Sequence, residues 1–107
     1  MIVVTGAAGF IGSNLIKKLN ENNFKNIVAV DKFNNEVKNL NLKNVSLHSS
    51  VDRDVFHEWA KKNAEAIEFI FHLGARTDTT ETDETLLYEL NTKYSMNIWR
   101  LCVAEQI

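Results

Sequence analysis

The chain has 107 residues, of which 45% are hydrophobic and 24% charged, so it has the size and balance of one compact domain. Its formal net charge of −2 gives no electrostatic basis for binding nucleic acid or an anionic membrane, and no apolar run is long enough to span a bilayer. The single cysteine, Cys102, cannot form an internal disulfide, which favours a cytoplasmic location.

The first part of the chain predicts two buried strands on either side of one helix. The apolar segment MIVVT predicts a strand buried on both faces, and NIVAVD predicts a second. Between them, FIGSNLIKKLNENN predicts a helix whose core-facing residues are Ile11, Leu15, Ile16 and Leu19. Asn22 or Asn23 can end this helix in the left-handed conformation.

The remainder predicts two more strands and two longer helices. A helical turn near Val37–Leu40 precedes a third strand in VSLHSS. Asp52 is then a candidate N-cap for a helix in RDVFHEWAKKN, which places Phe56, Trp59 and Ala60 on one face. AIEFIFHLGA predicts the fourth strand, and RTDTTETDET predicts a polar loop. The last helix starts near Glu84 and aligns Leu87, Leu90 or Asn91, Tyr94, Ile98 and Leu101.

Strands that alternate with helices predict βαβ units and a parallel sheet, and right-handed crossovers favour the strand order 3-2-1-4. The expected fold class is therefore α/β, a doubly wound parallel sheet of which this chain holds a part. The sequence stops at CVAEQI, in or just after a helix, where such a domain would continue into another strand. We therefore expect residues 1–107 to be the N-terminal part of a longer protein.

Three of the four glycines form the pattern Gly6-x-x-Gly9-x-x-Gly12 between the first strand and the first helix. Gly6 allows a sharp turn out of the strand, Gly9 leaves room for a pyrophosphate, and Gly12 lets the helix pack against the sheet. Free N–H groups at the helix start then face the phosphates. A glycine-rich turn with no ligand is the alternative, but the context favours a Rossmann-type, NAD(P)-binding domain.

Charged residues after the second strand bear on which dinucleotide is bound. Asp31 ends that strand 19 residues after Gly12, where a carboxylate binds the adenosine ribose hydroxyls of NAD. Lys32, Lys38 and Arg53 lie in segments that could converge nearby and bind the ribose 2′-phosphate of NADP. An ordinary strand-end aspartate and solvated surface cations are the alternatives.

The segment FHLGART, at the end of the fourth strand, also predicts a contact with the dinucleotide. Gly74 and Ala75 are small where the chain would pass beneath the second ribose and the nicotinamide. A strand-to-helix turn that simply needs small residues is the alternative. His48, His57 and His72 show no metal-ligand spacing, so no metal site is predicted.

The segments VTGAAGFIGSNL, VAVD and FHLGA, with the helix that holds Asn91, resemble the extended short-chain dehydrogenase/reductase family, in its nucleotide-sugar epimerase and dehydratase branch. Within that branch, the run Thr79, Thr80, Glu81 and Asp83, followed by Asn91, Tyr94 and Ser95, is most similar to the ADP-heptose epimerase subfamily. Lys38 and Arg53 match basic positions which that subfamily uses on the 2′-phosphate. The resemblance also implies cofactor contacts at Phe10, Ile11, Leu73, Arg76 and Asn91.

The same resemblance implies an isomerase that uses NADP, with NAD as the alternative, for transient oxidation and reduction at one carbon of a nucleotide sugar. It implies a role in lipopolysaccharide biosynthesis and a homo-oligomer for the full-length protein. The alternatives are another epimerase, dehydratase or reductase of the branch, or a dinucleotide-binding domain without catalysis.

The catalytic motif of this family is absent from the sequence. That motif is a tyrosine with a lysine four residues later, whereas Tyr88 is followed by Thr92 and Tyr94 by Ile98. We therefore expect the catalytic pair after Ile107, no catalytic residue in this chain, and no turnover by the chain alone.

Overall fold

The computed structural model describes residues 1–75 and 84–107. The strands are β1 (Ile2–Thr5), β2 (Ile27–Asp31), β3 (Ser49–Asp52) and β4 (Phe69–His72). The helices are α1 (Phe10–Glu21), α2 (Glu36–Asn39), α3 (Phe56–Asn63) and α4 (Glu84–Glu105), with 3₁₀ turns at Leu40–Leu42 and Ala64–Ala66.

The four strands form one parallel sheet in the order β3-β2-β1-β4, which confirms the predicted fold class and strand order. The central strand β2 is buried along its whole length, as its uninterrupted apolar sequence requires. β1 pairs with β2 from Ile2 and Ile27 onward, and with β4 from Ile2 and Phe69 onward. The carboxyl ends of β1, β2 and β4 therefore meet at one edge of the sheet.

The core lies in two clusters, because alternate strand residues point to opposite faces of the sheet. On one face, Val3 and Val28 pack with Phe56 of α3 and Ile98 of α4. The other face carries Val4, Ala7, Ile27 and Ala29, which pack with Ile16 of α1. Phe56 is completely buried, and burying a side chain of that size contributes about 2–3 kcal/mol. Helices on both faces make the sheet doubly wound.

Several local predictions are confirmed. Asn23 has φ +67°, which is the left-handed conformation predicted after α1. A short helix occupies Glu36–Asn39, and Asn35 accepts the N–H of Lys38 as its N-cap. Along α4 the predicted line of residues is half-buried at Leu87 and Tyr94 and fully buried towards its end, at Ile98 and Leu101.

The prediction that Ile11 faces the core is wrong. Its side chain is 69% exposed, whereas Ile16 on the same helix is fully buried. Ile11 belongs to the first turn of α1, at the loop end of the helix, while the contacts with the sheet begin further along with Leu15 and Ile16.

The predictions for the third strand and its following helix are also partly wrong. β3 begins at Ser49, later than VSLHSS predicts, and it includes Asp52, which pairs with Asp31 of β2. Asp52 therefore does not cap α3; its Oδ1 accepts the N–H of Asp54, and Val55 stands at the N-cap without a side-chain bond. The register with β2 determines where this strand lies, and that information is not local.

None of the helices in the described segments is long and apolar enough to cross a membrane.

Candidate dinucleotide-binding site

A cleft that is open to solvent lies at the carboxyl ends of the strands. This is where open parallel sheets bind ligands, beside the strand at which the chain order reverses. Nine of the predicted binding residues line it: Gly6, Gly9, Asp31, Lys38, Arg53, Leu73, Gly74, Ala75 and Asn91. Thr5, Val30 and Tyr94 line it as well, although the sequence did not predict them as binding residues.

Gly6 and Gly74 allow the ends of β1 and β4 to touch. Gly6 has φ +68°, which disfavours any other residue, and a Cβ there would lie 2.8 Å from the backbone N of Gly74. A Cβ on Gly74 would in turn lie 2.9 Å from the backbone N of Gly6. These two glycines therefore form the floor of the cleft by close backbone packing.

Gly12 and Gly9 have different roles at the start of α1. A Cβ on Gly12 would lie 2.2 Å from the carbonyl oxygen of Gly6, so this glycine is required by the packing of helix against turn. A Cβ on Gly9 would meet only that same oxygen, at 3.2 Å, and Gly9 lines the cleft. The space above Gly9 is thus left open on the side where a ligand would approach.

The N-terminus of α1 has no side-chain cap, because its N-cap residue is Gly9. The first N–H groups of a helix have no partner within it, and here they belong to Phe10, Ile11 and Gly12. The side chains of Phe10 and Ile11 are 78% and 69% exposed and do not line the cleft. Any contribution of these two residues to phosphate binding therefore comes from their backbone, where the helix dipole favours an anion.

Asp31 is 5% exposed and holds the glycine loop in place. Its Oδ2 accepts the backbone N–H of Ala8 at 3.0 Å, and its Oδ1 accepts the N–H of Lys32 at 2.7 Å. A carboxylate has about four acceptor positions, so two remain after these bonds. Asp31 therefore has acceptor positions left for ribose hydroxyls, in addition to a structural role that its sequence position did not predict.

Lys38 and Arg53 converge on the cleft beside Asp31. The Nζ of Lys38 lies 3.6 Å from Asp31 Oδ1, and the backbone N–H of Arg53 donates to the carbonyl of Asp31 at 3.1 Å. The Nε of Arg53 is buried and has no hydrogen-bond partner among the described residues; its ion pair with Asp54 is long, at 4.0 Å. Arg53 lines the cleft and its side chain is 30% exposed, so its guanidinium is suited to an incoming anion.

Lys32 does not join this group. Its ammonium bonds Asp54 at 2.6 Å and lies 3.6 Å from Asp52, and the bond to Asp54 is the main reason that its pKa is raised. Lys32 is not among the residues that line the cleft. Arg76 and the threonine-rich run that begins at Thr79 lie outside the described residues.

A hydrogen-bonded chain joins β1, β4 and α4 below the cleft. Thr5 Oγ1 accepts the N–H groups of Leu73 and Gly74, at 3.0 and 2.9 Å, and lies 2.7 Å from Nδ1 of His72. Both lone pairs of the hydroxyl are therefore used, and its own proton is donated to His72. His72 then carries its proton on Nε2 and donates to Ser95 Oγ at 2.8 Å. Burial lowers the pKa of His72, which favours this neutral form.

Tyr94 lies between two histidines that are distant in the sequence. Its ring centroid is 4.5 Å from that of His57 and 5.9 Å from that of His72. Burial, followed by the charges of Lys61 and His72, lowers the pKa of His57. No group of three or more histidine, cysteine or acidic side chains is arranged to hold a metal ion within the described ranges.

The missed site residues have weak sequence signals. Thr5 is the polar residue that ends an otherwise apolar strand just before the glycine loop, which was a usable signal. Asn41 binds the carbonyl of Ala8 at 2.9 Å across 33 residues of chain, and no local pattern predicts that bond. Tyr94 was assigned to the core-facing line of α4, and its contact with the cleft depends on where that helix lies.

A parallel sheet in this order, with a glycine turn after its first strand and a cleft at the carboxyl ends of its strands, defines a Rossmann-type α/β domain. The sequence profile of the NAD dependent epimerase/dehydratase family matches residues 2–107. The chain belongs to this family, as its resemblance predicted.

Two curated proteins that share one name are similar to nearly the whole chain. ADP-L-glycero-D-manno-heptose-6-epimerase of Fusobacterium nucleatum is 42% identical over 109 residues, which cover 100% of this chain and 33% of that protein. The protein of the same name from Cupriavidus pinatubonensis is 43% identical over 105 residues, which cover 97% of this chain and 32% of that protein. The chain thus spans about a third of the length of these relatives.

Solved structures share the fold. UDP-glucuronic acid 4-epimerase of Bacillus cereus, in complex with UDP-glucuronic acid and NAD, matches with a TM-score of 0.73 and 27% identity over 94% of this chain and 35% of that one. UDP-glucose 4-epimerase of Thermotoga maritima, with UDP-glucose, matches with a TM-score of 0.65 and 26% identity over 99% of this chain and 35% of that one.

Proposed function

We propose that this chain is the N-terminal, cofactor-binding part of a cytoplasmic nucleotide-sugar epimerase that uses NADP and acts at carbon 6 of an ADP-linked heptose. The curated relatives that carry this activity in their names support the substrate and the reaction. The full-length protein would be a homo-oligomer that supplies lipopolysaccharide biosynthesis, with no nucleic-acid or membrane partner.

The observation that carries the cofactor part of the proposal is the cleft above Gly9. The uncapped start of α1 would hold the pyrophosphate, and the open space at Gly9 admits it. Asp31 would bind the adenosine ribose. The Gly74 and Ala75 turn would support the second ribose, and Asn91 also lines the cleft.

The preference for NADP rests on Lys38 and Arg53. Both line the cleft beside Asp31, and the Arg53 Nε has no partner among the described residues. A 2′-phosphate on the adenosine ribose would reach both cations while Asp31 stays bonded to the glycine loop. NAD lacks that phosphate and would add no anion beside the two cations.

The bound nicotinamide would supply the redox chemistry, taking hydride from the sugar carbon and returning it to the opposite face. The residues of this chain contribute binding and orientation only. Removal of the hydroxyl proton needs a positioned base, which typically contributes about 10²–10⁴-fold, and we assign that role to the part of the curated relatives' length that this chain does not cover.

The test is calorimetric titration of the chain with NADP⁺ and NAD⁺. We expect tighter binding of NADP⁺, with the preference lost in the Lys38→Ala/Arg53→Ala double variant. A charge-assisted contact contributes about 1.5–3 kcal/mol, so losing one should lower the NADP⁺ affinity roughly ten- to a hundredfold, and losing both should lower it further. Lys17→Ala/Lys62→Ala removes two exposed cations outside the cleft and is the matched control.

A Gly9→Val variant separates cofactor binding from cofactor choice. Its side chain would occupy the open space at the start of α1, so binding of both dinucleotides should be lost while the fold remains. Undiminished binding by this variant would contradict the pyrophosphate site. Tighter binding of NAD⁺ than of NADP⁺ by the unmodified chain would contradict the cofactor choice alone.

A further inference from the structure

The backbone of Arg53 is held from two sides. Its N–H donates to the carbonyl of Asp31 at 3.1 Å, and its own carbonyl accepts the hydroxyl of Tyr94 at 3.0 Å. The first bond ties Arg53 to the end of β2, and the second ties it to α4, 41 residues further along the chain. Arg53 lies in the turn between β3 and α3, so these two bonds fix a residue that no strand or helix contains.

Tyr94 is itself held firmly by packing. Its ring lies against His57 of α3 and is stacked on His72 of β4, with an angle of 23° between the two ring planes. The same side chain packs against the core cluster that contains Phe56 and Ile98. The Tyr94 hydroxyl is therefore a fixed donor, and its bond transmits the position of α4 to Arg53.

The position of the Arg53 side chain depends on the two hydrogen bonds that hold its backbone. Its Nε is buried without a hydrogen-bond partner in residues 1–75 and 84–107, and Asp54 Oδ1 lies 4.0 Å away, too far for a hydrogen bond. No side-chain hydrogen bond within the described residues thus orients the Nε, so the two bonds to the Arg53 backbone bear directly on where the guanidinium lies.

We infer that Tyr94 is a positioning residue that sets Arg53 to bind the phosphorylated adenosine ribose, and so acts on the choice between NADP and NAD. This inference rests on the proposed function. It assigns to Tyr94 an effect on one phosphate rather than on the dinucleotide as a whole. A direct contact of Tyr94 with the ligand, or a purely structural role, would change the affinity for both dinucleotides alike.

The experiment is a double-mutant cycle with Tyr94→Phe and Arg53→Ala, titrated with NADP⁺ and NAD⁺. Losing one hydrogen bond should lower the NADP⁺/NAD⁺ affinity ratio about three- to tenfold in Tyr94→Phe. In the Arg53→Ala background, Tyr94→Phe should have no further effect on the ratio. Tyr88→Phe, at a tyrosine of the same helix that is 74% exposed, is the matched control.

A second measurement reports on Arg53 directly. Phenylalanine keeps the ring between the two histidines, so the fold should persist, and thermal unfolding checks this. In ¹⁵N NMR, the Arg53 Nε–H signal should shift when 2′-AMP is added to the parent chain. We expect a smaller shift in Tyr94→Phe.

The outcomes separate this inference from the proposed function. If Arg53→Ala lowers the affinity ratio but Tyr94→Phe does not, the positioning role is wrong and the phosphate role of Arg53 stands. Equal losses for NADP⁺ and NAD⁺ in Tyr94→Phe also overturn the positioning role. If Arg53→Ala leaves the ratio unchanged, the proposed phosphate site fails, and the role of Tyr94 fails with it.

Discussion

Replacing Thr5 with valine should destabilise the chain more than the small change in shape suggests. The side chain is 2% exposed, and valine is nearly isosteric with threonine. The hydroxyl accepts the N–H groups of Leu73 and Gly74 and donates to His72. Valine fills nearly the same volume, but it can neither accept these two N–H groups nor donate a hydrogen bond to His72.

The magnitude follows from the groups left without a partner. A buried donor or acceptor that loses its partner costs about 1–3 kcal/mol, and Thr5→Val strands two peptide N–H groups and one imidazole nitrogen. These partners are only partly buried, so water recovers some of the loss. We expect a decrease of about 2–4 kcal/mol in the free energy of unfolding, which is a large share of the roughly 5–15 kcal/mol of a typical domain.

The assay is urea unfolding followed by circular dichroism, with Thr5→Ser as the matched control. Serine keeps the hydroxyl and loses one methyl group, which costs about 1 kcal/mol. Thr5→Val should also weaken NADP⁺ and NAD⁺ binding equally, since Leu73 and Gly74 follow β4, whereas Lys38 lies beside Asp31 of β2, on the other side of β1. A valine variant at least as stable as the serine variant would refute this account of the Thr5 hydroxyl.

Two further predictions concern pH and turnover. Burial lowers the folded-state pKa of His57 and His72. Below the ordinary histidine pKa of about 6.5, the unfolded chain therefore binds more protons than the folded chain, and the free energy of unfolding decreases as the pH is lowered. Between about pH 7.5 and about pH 5.5, the unfolding free energy of the parent should decrease more than that of His57→Gln/His72→Gln, and equal decreases would contradict this. Incubated with NADP⁺ and the ADP-heptose, the chain should form no carbon-6 epimer detectable by NMR, since it lacks a tyrosine followed four residues later by lysine. Epimer formed at a rate near that of a full-length relative would show that the catalytic residues were misplaced.

The fold was largely predictable because its signals are local. A strand buried on both faces needs a continuous apolar run, and IVVT and IVAVD are such runs. The left-handed residue after α1 was predictable at Asn22 or Asn23 because few other residues tolerate that conformation. With a glycine turn between the first strand and helix, the handedness of parallel crossovers left few strand orders to consider.

The errors fall where a neighbouring strand outweighs a local preference. Asp52 before a helical pattern has the composition of an N-cap, but pairing with Asp31 extends β3 through it. The helix then starts four residues later, at Phe56, from the uncapped Val55. Cap preferences of about 0.5–2 kcal/mol do not prevail over the pairing and burial of a whole strand, and Val51 is buried in this one.

The site divides in the same way, between residues fixed by strand ends and residues fixed by packing. Gly6 and Gly74 lie just after β1 and β4, and Asp31 is the last residue of β2. Because parallel strands end at one edge, their convergence follows from the strand assignments alone. Arg53 follows the end of β3 by the same logic. Lys32 is an exception to that logic. It is adjacent to Asp31 in the sequence, but its side chain forms ion pairs with Asp52 and Asp54 and does not line the cleft.

The part of the site contributed by α4 could not be predicted in the same way. Helical periodicity identifies the side of α4 that faces the protein, and Asn91 and Tyr94 lie on it with Ile98. Periodicity does not say where along the sheet the helix packs, and one turn of displacement, about 5.4 Å, would break the 3.0 Å bond from Tyr94 to Arg53. That position is set by contacts that exist only in the folded chain. Tyr94 packs against His57 and His72, and Ser95 forms a hydrogen bond with His72. The residues that hold the cofactor cleft in shape are therefore harder to read from sequence than the residues that line it, since each depends on the placement of two or three elements at once.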